Sequence, residues 1–223
     1  MPMSTVVNKK VRVYESLKRR IIDCELAPGL PINEADFASE LGVSKTPVRE
    51  ALRELERDGF VETVPGRGST ISHLTPLNIH EILEIREIIE TGAAKLVAQL
   101  RPRNEELTRK RAEHQQLLSE SPASEEYVRE WGEWEDVHLS IVHALGNLTF
   151  LNMYGGLLDR IKRIRNHFGQ RFTPRRLNEI ISEHLAILDA ILEGDPDRAE
   201  QAVRKHLENA GSFLMGLSVV RKE

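Results

Sequence analysis

The chain has 223 residues, 40% hydrophobic and 30% charged, enough for two small domains or one larger one with a real core, which excludes a disordered chain. Its 31 Lys and Arg against 35 Asp and Glu leave a formal charge of −4, so no global positive field draws in nucleic acid and any DNA contact must be local. The single Cys24 rules out an intramolecular disulfide framework and a cysteine-based zinc site, and it reads as a small apolar residue of an amphipathic segment.

Met1 to Lys10 lacks the apolar stretch of a signal peptide, and no run approaches the roughly 18 uninterrupted apolar residues of a membrane helix. A soluble, cytoplasmic protein is expected. Charge is divided unevenly: residues 1–75 carry eleven basic and eleven acidic groups, so the net charge belongs to the remainder, which also holds seven of the eight histidines.

From Val11 to Leu26, apolar residues recur at Val13, Tyr14, Leu17, Ile21 and Ile22, a helical period ended by Ala27-Pro28-Gly29. A second helix spans about Asn33 to Leu41, with Phe37, Ala38 and Leu41 inward and Gly42 supplying the turn. A third starts at Ser44 or Thr46, whose hydroxyls suit a cap, and carries Val48, Leu52 and Leu55 inward to Gly59. Phe60 to Val64 reads as a strand, Pro65-Gly66-Arg67-Gly68 as a tight turn and Ser69 to Leu74 as the returning strand. Three helices and a hairpin make a winged helix-turn-helix domain over residues 1–75.

Thr75-Pro76 has the chemistry of a helix cap and first turn, so a very short linker leads to a second domain at 76–223. Its pattern is wholly helical, with breaks near Arg101-Pro102, Ser121-Pro122, Gly146-Asn147, Thr173-Pro174 and Gly194-Asp195-Pro196 that delimit a six-helix bundle. The fold class is therefore mainly α.

The segment Leu41-Gly42-Val43-Ser44-Lys45-Thr46-Pro47-Val48-Arg49-Glu50-Ala51-Leu52 resembles the recognition-helix signature of GntR-family bacterial transcription regulators. The match extends through Gly59-Phe60-Val61 and the Gly66-Arg67-Gly68 wing. The helical second part is similar to the FadR-type branch with its FCD ligand-sensing domain, so the resemblance covers nearly the whole chain. It implies a metabolite-responsive regulator, a repressor more than an activator, that binds a pseudo-palindromic operator as a homodimer.

Residue chemistry agrees. Lys45 and Arg49 are four apart on one face of the third helix, Ser44 and Thr46 add hydroxyls, and amides at that helix start favour phosphate. Arg67 and Gly68 sit at the hairpin tip, within reach of the minor groove or the backbone. The alternative for each cation is an ordinary solvated face. Two positions depart from the family pattern, Lys45 and Ala35, where relatives often carry arginine; lysine lacks the bidentate fork that arginine offers guanine.

Three histidines fall on the apolar stripes of three different helices: His138 with Ile141 and Leu145, His184 with Ile181 and Leu188, and His206 with Ala202 and Phe213. A lone inward histidine is usually a bonded core residue, but three converging in one bundle suit a divalent transition metal. The resemblance sharpens this, since many FCD domains bind metal through an Asp and three His, and these three occupy the His positions. The family Asp position is Trp134 here. Glu135, three before His138, could reach the same face, so the expected site is His138, His184 and His206 with or without Glu135, holding zinc or else nickel or manganese.

Arg86 and Arg165 also lie on inward stripes. Each needs a carboxylate, either from the protein, such as Glu90 for Arg86, or from a small carboxylate effector that could be an organic or sugar acid. His114, His143 and His167 have no comparable pattern. Two other functions are weighed. A metal-dependent hydrolase carrying a DNA-binding domain lacks the His-Glu-x-x-His, Gly-x-Ser-x-Gly and Walker signatures. A DNA-binding dimer without an effector would leave the arginines and histidines to core packing. No catalytic residue is expected, and no membrane partner.

Overall fold

The computed structural model describes residues 9–64, 66, 68–100, 103–120 and 137–219. The chain divides into two compact units, with the boundary between Leu74 and Thr75.

The first unit holds α1 (Lys9–Ile22), β1 (Pro31–Ile32), α2 (Glu34–Glu40), α3 (Lys45–Arg57), β2 (Val61–Val64) and β3 (Gly68–Ile71). Val13, Leu17 and Ile21 of α1 are buried against Phe37 and Ala38 of α2 and Val48, Ala51, Leu52 and Leu55 of α3. Phe60, Val61 and Ile71 close the same core from the hairpin. Asn33 caps α2 by accepting from the Ala35 amide at 3.0 Å, and acidic Glu34 and Asp36 favour that helix start.

Two expectations shift. The first helix stops at Ile22 rather than Leu26, because Cys24 adopts a left-handed backbone (φ 59°) and the Leu26 amide turns back to the Arg20 carbonyl at 3.1 Å. Cys24 is accordingly half-buried in a turn instead of lying on a helical stripe. The returning strand ends at Ile71, and the antiparallel sheet has a third strand, β1, which pairs Pro31 with Thr70 and Ile32 with Ser69 to give the order β1-β3-β2. Two residues are too few to register as alternation.

The second unit holds α4 (Pro76–Leu100), α5 (Glu105–Glu120), α6 (Val137–Ala144), α7 (Leu148–Phe168), a 3₁₀ turn (Gly169–Arg171), α8 (Pro174–Leu192) and α9 (Pro196–Val219). Thr75 caps α4 by accepting from the Asn78 amide at 3.2 Å, Asn147 caps α7, and Thr173 before Pro174 caps α8. The long α9 lies along α4 and α8, α5 packs on α8, and α6 bridges α4 and α5. Ile79, Val97, Leu107, Ile141, Tyr154, Leu177, Ile181, Ile187 and Val203 are almost fully buried between them. No described helix is long and apolar enough to cross a membrane.

Candidate nucleic-acid interface and imidazole cluster

Ser44 takes the cap position of α3, but its hydroxyl makes no capping bond, so it and the first α3 amides remain available to an outside acceptor. Lys45, Thr46 and Arg49 are exposed on that helix start. Arg49 is held by Glu34 of α2, Nε to Oε2 at 2.7 Å. At a surface this exposed such a pair adds little stability, but it fixes where the guanidinium points. Gly68 opens β3 with φ 85°, a left-handed conformation natural to glycine. Arg67 lies outside the described residues.

In the second unit, His138 of α6, His184 of α8 and His206 of α9 are all buried, and one ring nitrogen from each lies within 4.8 Å of the others. Glu135 lies outside the described residues, as does Trp134.

Two glutamates, Glu90 buried and Glu183 partly buried, face two of the rings. His138 Nδ1 faces Glu90 Oε2 of α4 at 2.7 Å, and His206 Nδ1 faces Glu183 Oε2 of α8 at 2.7 Å. A carboxylate accepts only, so His206 Nδ1 carries the hydrogen; His138 Nδ1 lies off the line of a hydrogen bond, but the carboxylate charge 2.7 Å away favours the hydrogen there too, and each Nε2 then presents a lone pair. Those two Nε2 atoms are 3.1 Å apart. Two acceptors at that distance repel unless a proton or a cation lies between them.

His114 of α5, for which the sequence offered no support, completes the group. Its Nδ1 donates to the Lys110 carbonyl at 2.9 Å, which leaves its Nε2 to accept from His184 Nδ1 at 3.2 Å. The third ring is thereby also left with Nε2 as its lone pair. The signal was present in the spacing Leu107, Lys110, His114, Leu117, obscured because a lysine interrupts the apolar stripe. Two further histidines serve elsewhere: His143 is exposed and faces Glu106, and His167 stacks edge-on against Phe168.

Arg86 forks onto Glu90 within α4, at 2.8 and 3.3 Å, and Tyr154 of α7 donates to the same carboxylate at 2.7 Å. The internal ion pair is thus the arrangement found for Arg86. Arg176 of α8, which the sequence reading passed over, donates to Glu183 at 3.0 Å, and its Nε is buried with no hydrogen-bond partner among the described residues. Arg86, Arg165 and Arg176 line, with the four imidazoles, one cavity of about 100 Å³.

Burial would raise the Glu90 carboxyl, but Arg86 and His138 outweigh it and hold it far below the usual carboxylate range. Glu183 is likewise opposed by burial and carried down to about 2 by its bonds to His206, Arg176 and Asn209. Burial pushes His184 well below its ordinary value, lowers His114, and takes His206 to about 4 despite Glu183. These histidines fold neutral and unfold into chains that take up protons below about pH 6.5. The unfolded state then binds more protons, so stability falls with pH. The two glutamates add to this loss below their ordinary value, where the unfolded carboxyls take up protons that the folded ones do not. The metal-free protein is therefore expected to lose thermal stability steadily from pH 6.5 to 4.5, read as Tm after chelator dialysis; a flat Tm over that window contradicts neutral buried imidazoles.

Residues 9–71 match the bacterial regulatory proteins of the gntR family, and residues 81–209, more than half of the chain, match the FCD domain. An HTH-type transcriptional regulator in an unstable DNA locus of Streptomyces ambofaciens is 31% identical over 87% of this chain and 80% of its own length. The HTH-type transcriptional repressor RspR of Escherichia coli K12 is 24% identical over 88% and 85%. Among solved structures, a GntR transcriptional regulator of Rhodococcus sp. RHA1 shares the fold with a TM-score of 0.71 at 23% identity, over 93% of this chain and 98% of that one. The hydrolase reading falls with these relations, for the chain belongs to the GntR family of DNA-binding transcriptional regulators, with a winged helix-turn-helix unit followed by an FCD domain, and is not an enzyme.

Proposed function

We propose that the chain is a cytoplasmic, homodimeric repressor whose affinity for a pseudo-palindromic operator changes when a small carboxylate enters the FCD domain beside a metal held by His138, His184 and His206. The observation that carries the sensing half is the pair of Nε2 lone pairs 3.1 Å apart, with a third supplied by His184. Nitrogens each about 2.0–2.1 Å from a tetrahedral zinc stand about 3.3 Å apart, so a divalent cation suits the gap. Glu90, Glu183 and His114 supply the outer contacts that usually fix the rings of such a site. Three nitrogens leave coordination positions open to a ligand oxygen, and the arginines of the cavity favour a carboxylate. Zinc is the first choice, with nickel and manganese as alternatives.

Dimerisation is supported by one face of α4. Ile85, Ile88, Gly92 and Leu96 share it at spacings of three and four, and the three apolar side chains are 47%, 76% and 46% exposed. A second copy of the chain covers such a stripe most simply through a two-fold contact, and a two-fold dimer suits a pseudo-palindromic operator. Ser44, Lys45, Thr46 and Arg49 of α3, with Arg67 and Gly68 of the wing, are assigned to the operator. Effector binding must favour one arrangement of the dimer over another, or operator affinity would not respond.

Three measurements test this. Arg49→Ala is expected to weaken operator binding at least tenfold, the scale of one lost base or phosphate contact; unchanged affinity removes α3 from the interface. Ile88→Glu is expected to sediment as a monomer and lose high-affinity operator binding, whereas an intact dimer moves the interface off α4. Elemental mass spectrometry of untagged protein should find about one transition metal per chain, absent when His138, His184 and His206 are all replaced by alanine. No metal in either protein, even after loading, returns the imidazoles to core packing and favours a dimer that works without a metal.

A further inference from the structure

The cavity of the second unit has two kinds of wall. Arg86 and Arg176 are joined to the imidazoles through Glu90 and Glu183, and Arg165 of α7 adds a third guanidinium to the lining. Elsewhere it is faced by aliphatic and aromatic side chains, among them Ile82, Ile161, Ile164, Phe172, Phe213 and Leu214. Among the described residues that line it there is no Ser, Thr, Asn, Gln or Tyr and no carboxylate. Among the described residues, a ligand can therefore be met by guanidinium groups and imidazole nitrogens that suit a carboxylate, and over the rest of its surface by hydrocarbon.

From this we infer that the effector is a monocarboxylate with a compact, unhydroxylated hydrocarbon body, branched aliphatic or of benzoate size, and not a sugar acid or a tricarboxylate. The inference rests on the carboxylate reading above and narrows it. A hydroxyl carried into the apolar part loses its water and finds no partner, which costs roughly tenfold to a hundredfold in Kd. A methylene buried in the same place gains roughly fourfold. Volume sets the size: a dry cavity of 150 Å³ takes a benzene, so about 100 Å³ accommodates a body of about four to six carbon atoms. The buried Nε of Arg176, unpartnered among the described residues, offers a donor to the carboxylate.

The test is isothermal titration of the full-length, zinc-loaded protein with isovalerate, benzoate, gluconate and citrate. Isovalerate or benzoate is expected to bind at least tenfold tighter than gluconate and citrate. That binding should weaken at least tenfold in Ala210→Leu, which puts extra carbon atoms into the cavity; the melting transition of the unliganded variant checks that it has folded. Gluconate or citrate binding more tightly overturns the hydrocarbon assignment and leaves the carboxylate reading standing. Failure of all four acids to bind overturns both. Unchanged benzoate or isovalerate binding in a folded Ala210→Leu places the acid outside this cavity and overturns the inference.

Discussion

A carboxylate taken out of water is tolerated only when donors replace the lost hydration, and Glu90 is the clearest case in this protein. It lies in the middle of α4, 2% exposed, and receives Arg86 from its own helix, His138 from α6 and Tyr154 from α7. Each of those groups would itself be costly to bury alone. Satisfied together, they tie three helices at one point and fix the tautomer of His138. Glu183 does the same for α8 and α9 through Arg176, His206 and Asn209. The site consequently depends on one buried and one partly buried anion that do not themselves supply the converging nitrogens.

His114 performs the matching task for His184 without a charge, through a backbone carbonyl and a ring nitrogen. The cluster therefore combines two anion-oriented imidazoles with one oriented by a neutral relay. That mixture limits the negative charge around the centre.

The first unit works under a different constraint. Its core is apolar and its function is carried by groups left outside it, since a hydroxyl without a capping bond and amides without helical acceptors are what a phosphate needs. Glu34 holds the exposed Arg49 guanidinium at the start of α3. One unit thus presents unsatisfied polar groups to solvent while the other satisfies them internally around a cavity.

How much of this was legible follows from range. Helix periods, caps and the turn glycines act over a few residues, so the three helices and hairpin of the first unit, the breaks of the bundle and the inward positions of His138, His184 and His206 could all be read along the chain. Arg86 with Glu90, four apart on one helix, was legible as one of two alternatives for the same reason. The tertiary structure alone decided what depends on separation: β1 pairing with β3, His114 meeting His184 seventy residues away, Glu183 of α8 meeting His206 and Asn209 of α9, and Glu90 facing His138 and Tyr154. Local spacing says which face a side chain takes, but which helix that face meets is settled only by packing, and buried polar groups find their partners across that contact.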